Sequence, residues 1–160
     1  MKNIFFNSKG FTLVEVAIVI ILLTLSFMVF LQALNTGKAV RVNSEIRTIQ
    51  GVILNNLQNQ IRARRFDENT SLPWSAVLGQ ESGESSITQF DDIDDFNNYN
   101  VSSVTGYPGF SYSVAVNYVS SSNKFHIAQS SQTNYKSVMV KISHLTLPAI
   151  TDTMIISSGL

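Results

Sequence analysis

The chain has 160 residues, room for one modest domain, and its 11 basic side chains are matched by 11 acidic ones, so it carries no net charge. That balance argues against a dedicated nucleic-acid binder, which shows a marked basic excess. With no cysteine in the sequence, disulfide frameworks, thiol catalysis and cysteine zinc sites are excluded, and two histidines, His126 and His144, leave little for histidine-based chemistry.

Residues 1–10 are short and cationic at Lys2 and Lys9. Phe11 to Leu31 then forms a run of 21 residues broken only by Thr12, Glu15, Thr24 and Ser26. As a helix this run is roughly 30 Å long, the hydrocarbon thickness of a bilayer. The preceding lysines keep the N-terminus cytoplasmic and send the rest of the chain outward. A cleaved signal peptide fits badly, because its apolar core is shorter and no small-residue cleavage site follows Leu31. Glu15 is the anomaly. A carboxylate in hydrocarbon costs a few kcal/mol even on lenient insertion scales. Lys9 is six positions back and off its helical face, so a partner is expected from another molecule.

Lys9-Gly10-Phe11-Thr12-Leu13-Val14-Glu15-Val16 resembles the processing signal of type IV prepilins and type II secretion pseudopilins. The resemblance covers about the first third of the chain. It implies that an inner-membrane prepilin peptidase cuts after Gly10 and methylates the new amine on Phe11. It also implies that Glu15, fifth from the cut, pairs with the terminal ammonium of a neighbouring subunit. Such a pair selects register more than it adds stability. The implied fold is α+β and pilin-like: a long N-terminal helix, its first half transmembrane, packed by an antiparallel sheet of three to four strands. The implied partners are the peptidase, other major and minor pilin subunits and the inner membrane, with no nucleic acid. The implied location is a single-pass inner-membrane protein with a periplasmic C-terminal domain, later part of a pilus or pseudopilus at the cell surface.

Residues 32–65 are expected to continue the helix. Val42, Ile46, Ile49, Ile53, Leu57 and Ile61 make one apolar stripe, with Asn43, Arg47, Gln50, Asn55 and Gln58 on a polar face. Gly37 and Gly51 each weaken the helix by about 1 kcal/mol relative to Ala. Residues 38–65 hold six basic groups against Glu45 alone, and Arg62, Arg64 and Arg65 suit a helix C-terminus.

Residues 66–100 read as a long acidic loop region with no lysine or arginine. Pro73-Trp74 is expected to pack it down onto the helix. Asp91, Asp92, Asp94 and Asp95 are weak calcium candidates, since clustered carboxylates supply hard oxygen ligands. A solvated acidic loop is the plainer expectation, because the glycine and terminal glutamate of an EF-hand are missing. Arg65-Phe66-Asp67-Glu68 and Phe90-Asp91-Asp92-Ile93-Asp94-Asp95-Phe96-Asn97 resemble steps in the D-type minor pilins of the mannose-sensitive haemagglutinin pilus.

Residues 101–160 are expected to form the sheet. Phe110 to Tyr118 alternates cleanly with period two. A short second strand is expected at Phe125–Gln129, a third at Val138–Ile142 and a last one at Asp152–Ile156, with one face on the helix stripe and one wet. Nothing in the sequence assembles a nucleophile, base and orienting group, so no enzymatic activity is expected. The functional expectation is a minor pilin or pseudopilin, the missing cysteine staple arguing against a major one. The alternative is a membrane-tethered adhesive or ligand-binding head, which an exposed Tyr/Phe patch would favour.

Overall fold

A computed structural model of the chain describes residues 10–159, so the expected leader, residues 1–10, lies outside the described residues except for Gly10, as does Leu160. The chain divides into two units, one running to Ser44 and the other beginning at Glu45. Helix α1, Leu13–Arg62, is continuous over 50 residues.

In the first unit the apolar run is exposed all round, from Leu13 to Leu34. A helix of this kind is a candidate membrane span by length and composition, and none of its apolar window is buried. Its polar interruptions are satisfied locally. Thr24 Oγ1 donates to Ile21 O at 2.8 Å and Ser26 Oγ donates to Leu22 O at 2.8 Å, which removes the penalty of a free hydroxyl in an apolar medium.

In the second unit the end of α1 lies against a four-stranded antiparallel meander in the order β1-β2-β3-β4. The strands are β1 Asn100–Val101, β2 Phe110–Tyr118, β3 Tyr135–His144 and β4 Ile150–Ser157. Ile53, Leu57 and Ile61 of the stripe meet Val114 and Val116 of β2, Val138, Val140 and Ile142 of β3 and Met154 of β4. The register sets Val114 opposite Val140, Val116 opposite Val138 and Val138 opposite Met154, so one sheet face is continuously apolar. The α+β, helix-on-sheet expectation therefore holds.

Several details differ from expectation. Val42 is exposed and the stripe buries its full width only from Ile53 onward. Gln50 and Gln58, assigned to the polar face, are buried at its margin. Gln58 Nε2 donates to Asp152 Oδ2 at 2.8 Å, and Arg47 Nη1 bridges Gln50 Oε1 and Pro148 O at 3.0 and 2.9 Å. Polar side chains next to the stripe are thus drawn in by partners on the strands and the β3–β4 connection.

The strand expected at Phe125–Gln129 does not form. Ser120 accepts from Ser122 N and caps a 3-10 turn, Ser121–Asn123, after which Lys124 and Phe125 take left-handed backbone angles of 52° and 60°. Two successive left-handed residues break an extended run, and a single bridge, Val119 to Ala128, remains.

The acidic loop is the larger departure. Phe90, Ile93 and Phe96 are core residues packed with α1 and the sheet, and Phe90 lies edge-on to both Phe96 and Tyr99 at 5.0 Å. Burying each phenylalanine contributes about 1.5–3 kcal/mol, which draws the aspartates between them inward as well. Trp74 is buried, edge-on to Phe66 beyond the end of α1 at 5.1 Å, with Nε1 donating to Asn134 Oδ1 at 2.9 Å.

Candidate functional site

Two regions carry chemistry: the start of α1 and the folded acidic loop. At the start, Gly10 and Phe11 precede the helix and are exposed. Thr12 and Glu15 close a reciprocal cap. Glu15 N donates to Thr12 Oγ1 at 3.3 Å, while Thr12 N and Oγ1 donate to Glu15 Oε2 at 2.8 and 3.0 Å. This is the capping box of a Thr-x-x-Glu start, and the negative charge suits the positive end of the helix dipole. Glu15 therefore has a partner within its own chain, through one oxygen, and remains exposed beside Phe11, Val16, Val19 and Ile20.

In the acidic loop the organising residue is Lys136, which the sequence reading did not single out. Its side chain is fully buried. Nζ donates to Phe66 O at 2.6 Å, Asp67 Oδ2 at 2.9 Å and Asp94 Oδ1 at 2.8 Å. Three ammonium protons thus meet three oxygens. The rings of Phe66 and Tyr118 cover the ammonium, their centroids 4.6 and 5.3 Å away. The signal was available: Lys136 continues the inward phase of Val138, Val140 and Ile142 two residues back, opposite Tyr118 on β2.

Asp67 is saturated. It also accepts from Tyr118 Oη at 3.1 Å, from Ser75 N and Oγ, and from Asn69 N. Burial alone would push its carboxyl up, but the Lys136 ammonium and the Ser75 and Asn69 amides outweigh burial and hold it below the usual carboxylate range. Burial and the Asp67 carboxylate push the Tyr118 hydroxyl up, so it stays a donor. The hub is sealed from solvent and clamps the end of α1, the loop and β3 together.

The four calcium candidates do not converge. Asp91 pairs with Arg65 at the surface. Asp92 Oδ1 accepts from Asp94 N at 2.8 Å and Asp95 N at 3.3 Å, stabilising the 3-10 turn Asp94–Phe96. Asp94 belongs to Lys136. Asp95 Oδ2 accepts from Asp91 N at 2.9 Å and Asp92 N at 3.1 Å. Asp92, Asp94 and Asp95 are fully buried, so the solvated-loop expectation also fails, because the apolar residues between them are core. Burial first, and then the neighbouring Asp94 carboxylate, push Asp92 up to about 9, and it keeps its proton at neutral pH.

His126 is exposed, while His144 is half-buried against the Phe110 ring, with centroids 4.5 Å apart. A groove of about 340 Å³ beside α1 is lined by Ile53, Leu57, Gln60, Tyr99, Tyr107 and Tyr112. No Phe, Tyr or Trp of residues 45–159 is exposed. Comparison of the chain with protein-family models, with curated proteins and with solved structures found no match.

Proposed function

We propose that this chain is a minor subunit of a type IV pilus or related secretion filament. On this reading a prepilin peptidase hydrolyses the Gly10–Phe11 bond, the freed amine of Phe11 is methylated, and α1 packs among the helices of other pilin subunits. One observation carries the proposal: Glu15 stands five residues past a Gly-Phe junction, at the head of a helix whose N-terminal apolar window has none of its residues buried among the described residues. Lipid before assembly and neighbouring helices after it would cover that surface. In the apolar interior of a filament a terminal ammonium and a carboxylate each need the other. The adhesive alternative has no comparable support, since no Phe, Tyr or Trp of residues 45–159 is more than partly exposed.

Intact mass and N-terminal analysis of the protein from membranes and from sheared surface filaments tests this reading. The expected chain begins at methylated Phe11 and is a small fraction of the filament protein. A chain that still begins at Met1 and never enters filaments would overturn the proposal and leave a single-pass anchored head.

A further inference from the structure

The buried Asp95 carboxylate is only half used. Oδ2 takes the amides of Asp91 and Asp92, whereas Oδ1 has neither a donor nor solvent. Beside the Asp95 carboxylate stand Glu81 and Glu84, and one carboxylate oxygen from each of the three residues lies within 4.8 Å of the others. A tight turn brings the two glutamates together. Glu84 N donates to Glu81 O at 3.2 Å, Glu81 N donates to Glu84 Oε2 at 3.4 Å, and Gly83 takes a φ of +108° that only glycine adopts easily.

Among the described residues no ion pair reaches this trio. Lys136 is engaged by Asp67 and Asp94, Arg65 by Asp91, and Arg64 Nη2 donates to Ile87 O at 3.1 Å. A buried carboxylate oxygen next to two further carboxylates is costly unless a positive charge joins them. The donor set is all oxygen and carries up to three negative charges, which suits a hard divalent cation. Two oxygens bound to one calcium ion at its usual distances are at most about 5 Å apart, a limit the trio meets.

We propose that Glu81, Glu84 and Asp95 hold a calcium ion, with water completing its oxygen shell. The ion ties the exposed 81–84 turn to the buried Asp94–Phe96 turn, and so orders the irregular segment between α1 and the sheet. The site uses one of the four aspartates of the 91–95 run and two glutamates ahead of it. It stands independently of the filament reading.

The test uses the full chain in detergent micelles, with calorimetric titration of calcium chloride and thermal melts in calcium, magnesium or EDTA. One site is expected, with a Kd on the order of 10⁻⁴–10⁻³ M, the range of extracellular calcium modules. Calcium should raise the melting temperature, and magnesium should raise it less. Glu81→Gln, at an exposed position that leaves the core intact, should weaken calcium binding at least ~10-fold by removing one of three charged ligands. The same variant should melt higher than wild type in EDTA, because it relieves repulsion. Asp152→Asn on β4 should bind calcium as wild type does. No saturable binding by wild type, unchanged binding by Glu81→Gln, or equal stabilisation by magnesium would each overturn the assignment.

Discussion

Lys136 Nζ lies 2.8 Å from Asp94 Oδ1 with both side chains sealed from water, joining residues 42 apart in sequence. The same ammonium meets Asp67 just past the end of α1. One cation on an inward strand position therefore receives two stretches of the acidic loop. Much of the negative charge that looks available to a partner in the sequence is spent inside the fold.

Removing that cation should be severe. Lys136→Met keeps the volume and apolar stem but leaves Asp67 and Asp94 buried without their counter-charge. Breaking a buried ionic network from one side costs about 3–5 kcal/mol. Denaturant titration of the full chain in detergent, followed by tryptophan fluorescence of Trp74, should show an unfolding free energy lowered by that amount. A loss under ~1 kcal/mol, the level of an exposed pair, would show that the network is not buried in solution.

Stability should fall on both sides of a mildly acidic optimum. Asp67 is held below its unfolded pKa, so its contribution is complete above about pH 4 and is lost as pH falls through its folded value. Asp92 has the opposite sign. Its folded pKa of about 9 means the native state retains a proton that the unfolded chain has already released, so stability declines as pH rises from about 4 to 9. Glu81, pushed up to about 8 by desolvation and by the Asp95 carboxylate, adds a decline of the same sign in calcium-free solution. Unfolding midpoints measured in EDTA from pH 3 to 9 should trace this shape. Asp92→Asn places an amide donor where the proton was, so the decline should shrink, most visibly between pH 8 and 9. A wild-type profile flat from pH 5 to 9 would contradict the burial of Asp92.

Where periodicity was clean, the fold was legible. Phe110 to Tyr118 alternates without interruption and is β2 residue for residue. The stripe Ile53-Leu57-Ile61 reached the core for the same reason. The 66–100 segment was misread because its aspartates outweighed a weaker signal, Phe90, Ile93 and Phe96 three residues apart, which is the spacing of a tight helical turn. Lys136 escaped notice because a lysine reads as solvated unless the strand phase is carried through it. At Phe125 a plausible alternation lost to the serine-rich turn before it, whose cap forces left-handed residues. At the N-terminus, Thr12-x-x-Glu15 ahead of an apolar run is a capping signature that the membrane argument alone did not bring out.

The Tyr118 hydroxyl should be a stabilising donor that also sets the acidity of Asp67. Its single proton is shared between Asp67 Oδ2 at 3.1 Å and Ser75 O at 2.8 Å. Tyr118→Phe retains the ring over Lys136 but removes one donor from a buried carboxylate. Hydrogen bonds to charged groups contribute about 1.5–3 kcal/mol, and a loss in that range is expected. With one donor fewer the Asp67 carboxyl should rise, so the acid unfolding midpoint should move to higher pH. A stability loss without that shift would assign the effect to packing of the ring alone.

Glu15 has two separable roles, and a single pair of variants distinguishes them. As the third helical residue it accepts from Thr12 N, a duty that glutamine performs as well as glutamate in a capping box. As a charge it would meet the terminal ammonium of a neighbouring subunit, which glutamine cannot neutralise. Glu15→Gln should therefore leave the start of α1 intact, be cut after Gly10 like wild type, and still fail to enter filaments. Glu15→Ala should also fail and should in addition fray the first turn, which amide hydrogen exchange at residues 13–16 in micelles would register as faster exchange. The informative comparison is incorporation measured by mass spectrometry of sheared filaments. If Glu15→Gln enters at the wild-type level while Glu15→Ala does not, Glu15 acts as a helix cap alone, and the proposed pairing between subunits falls with it.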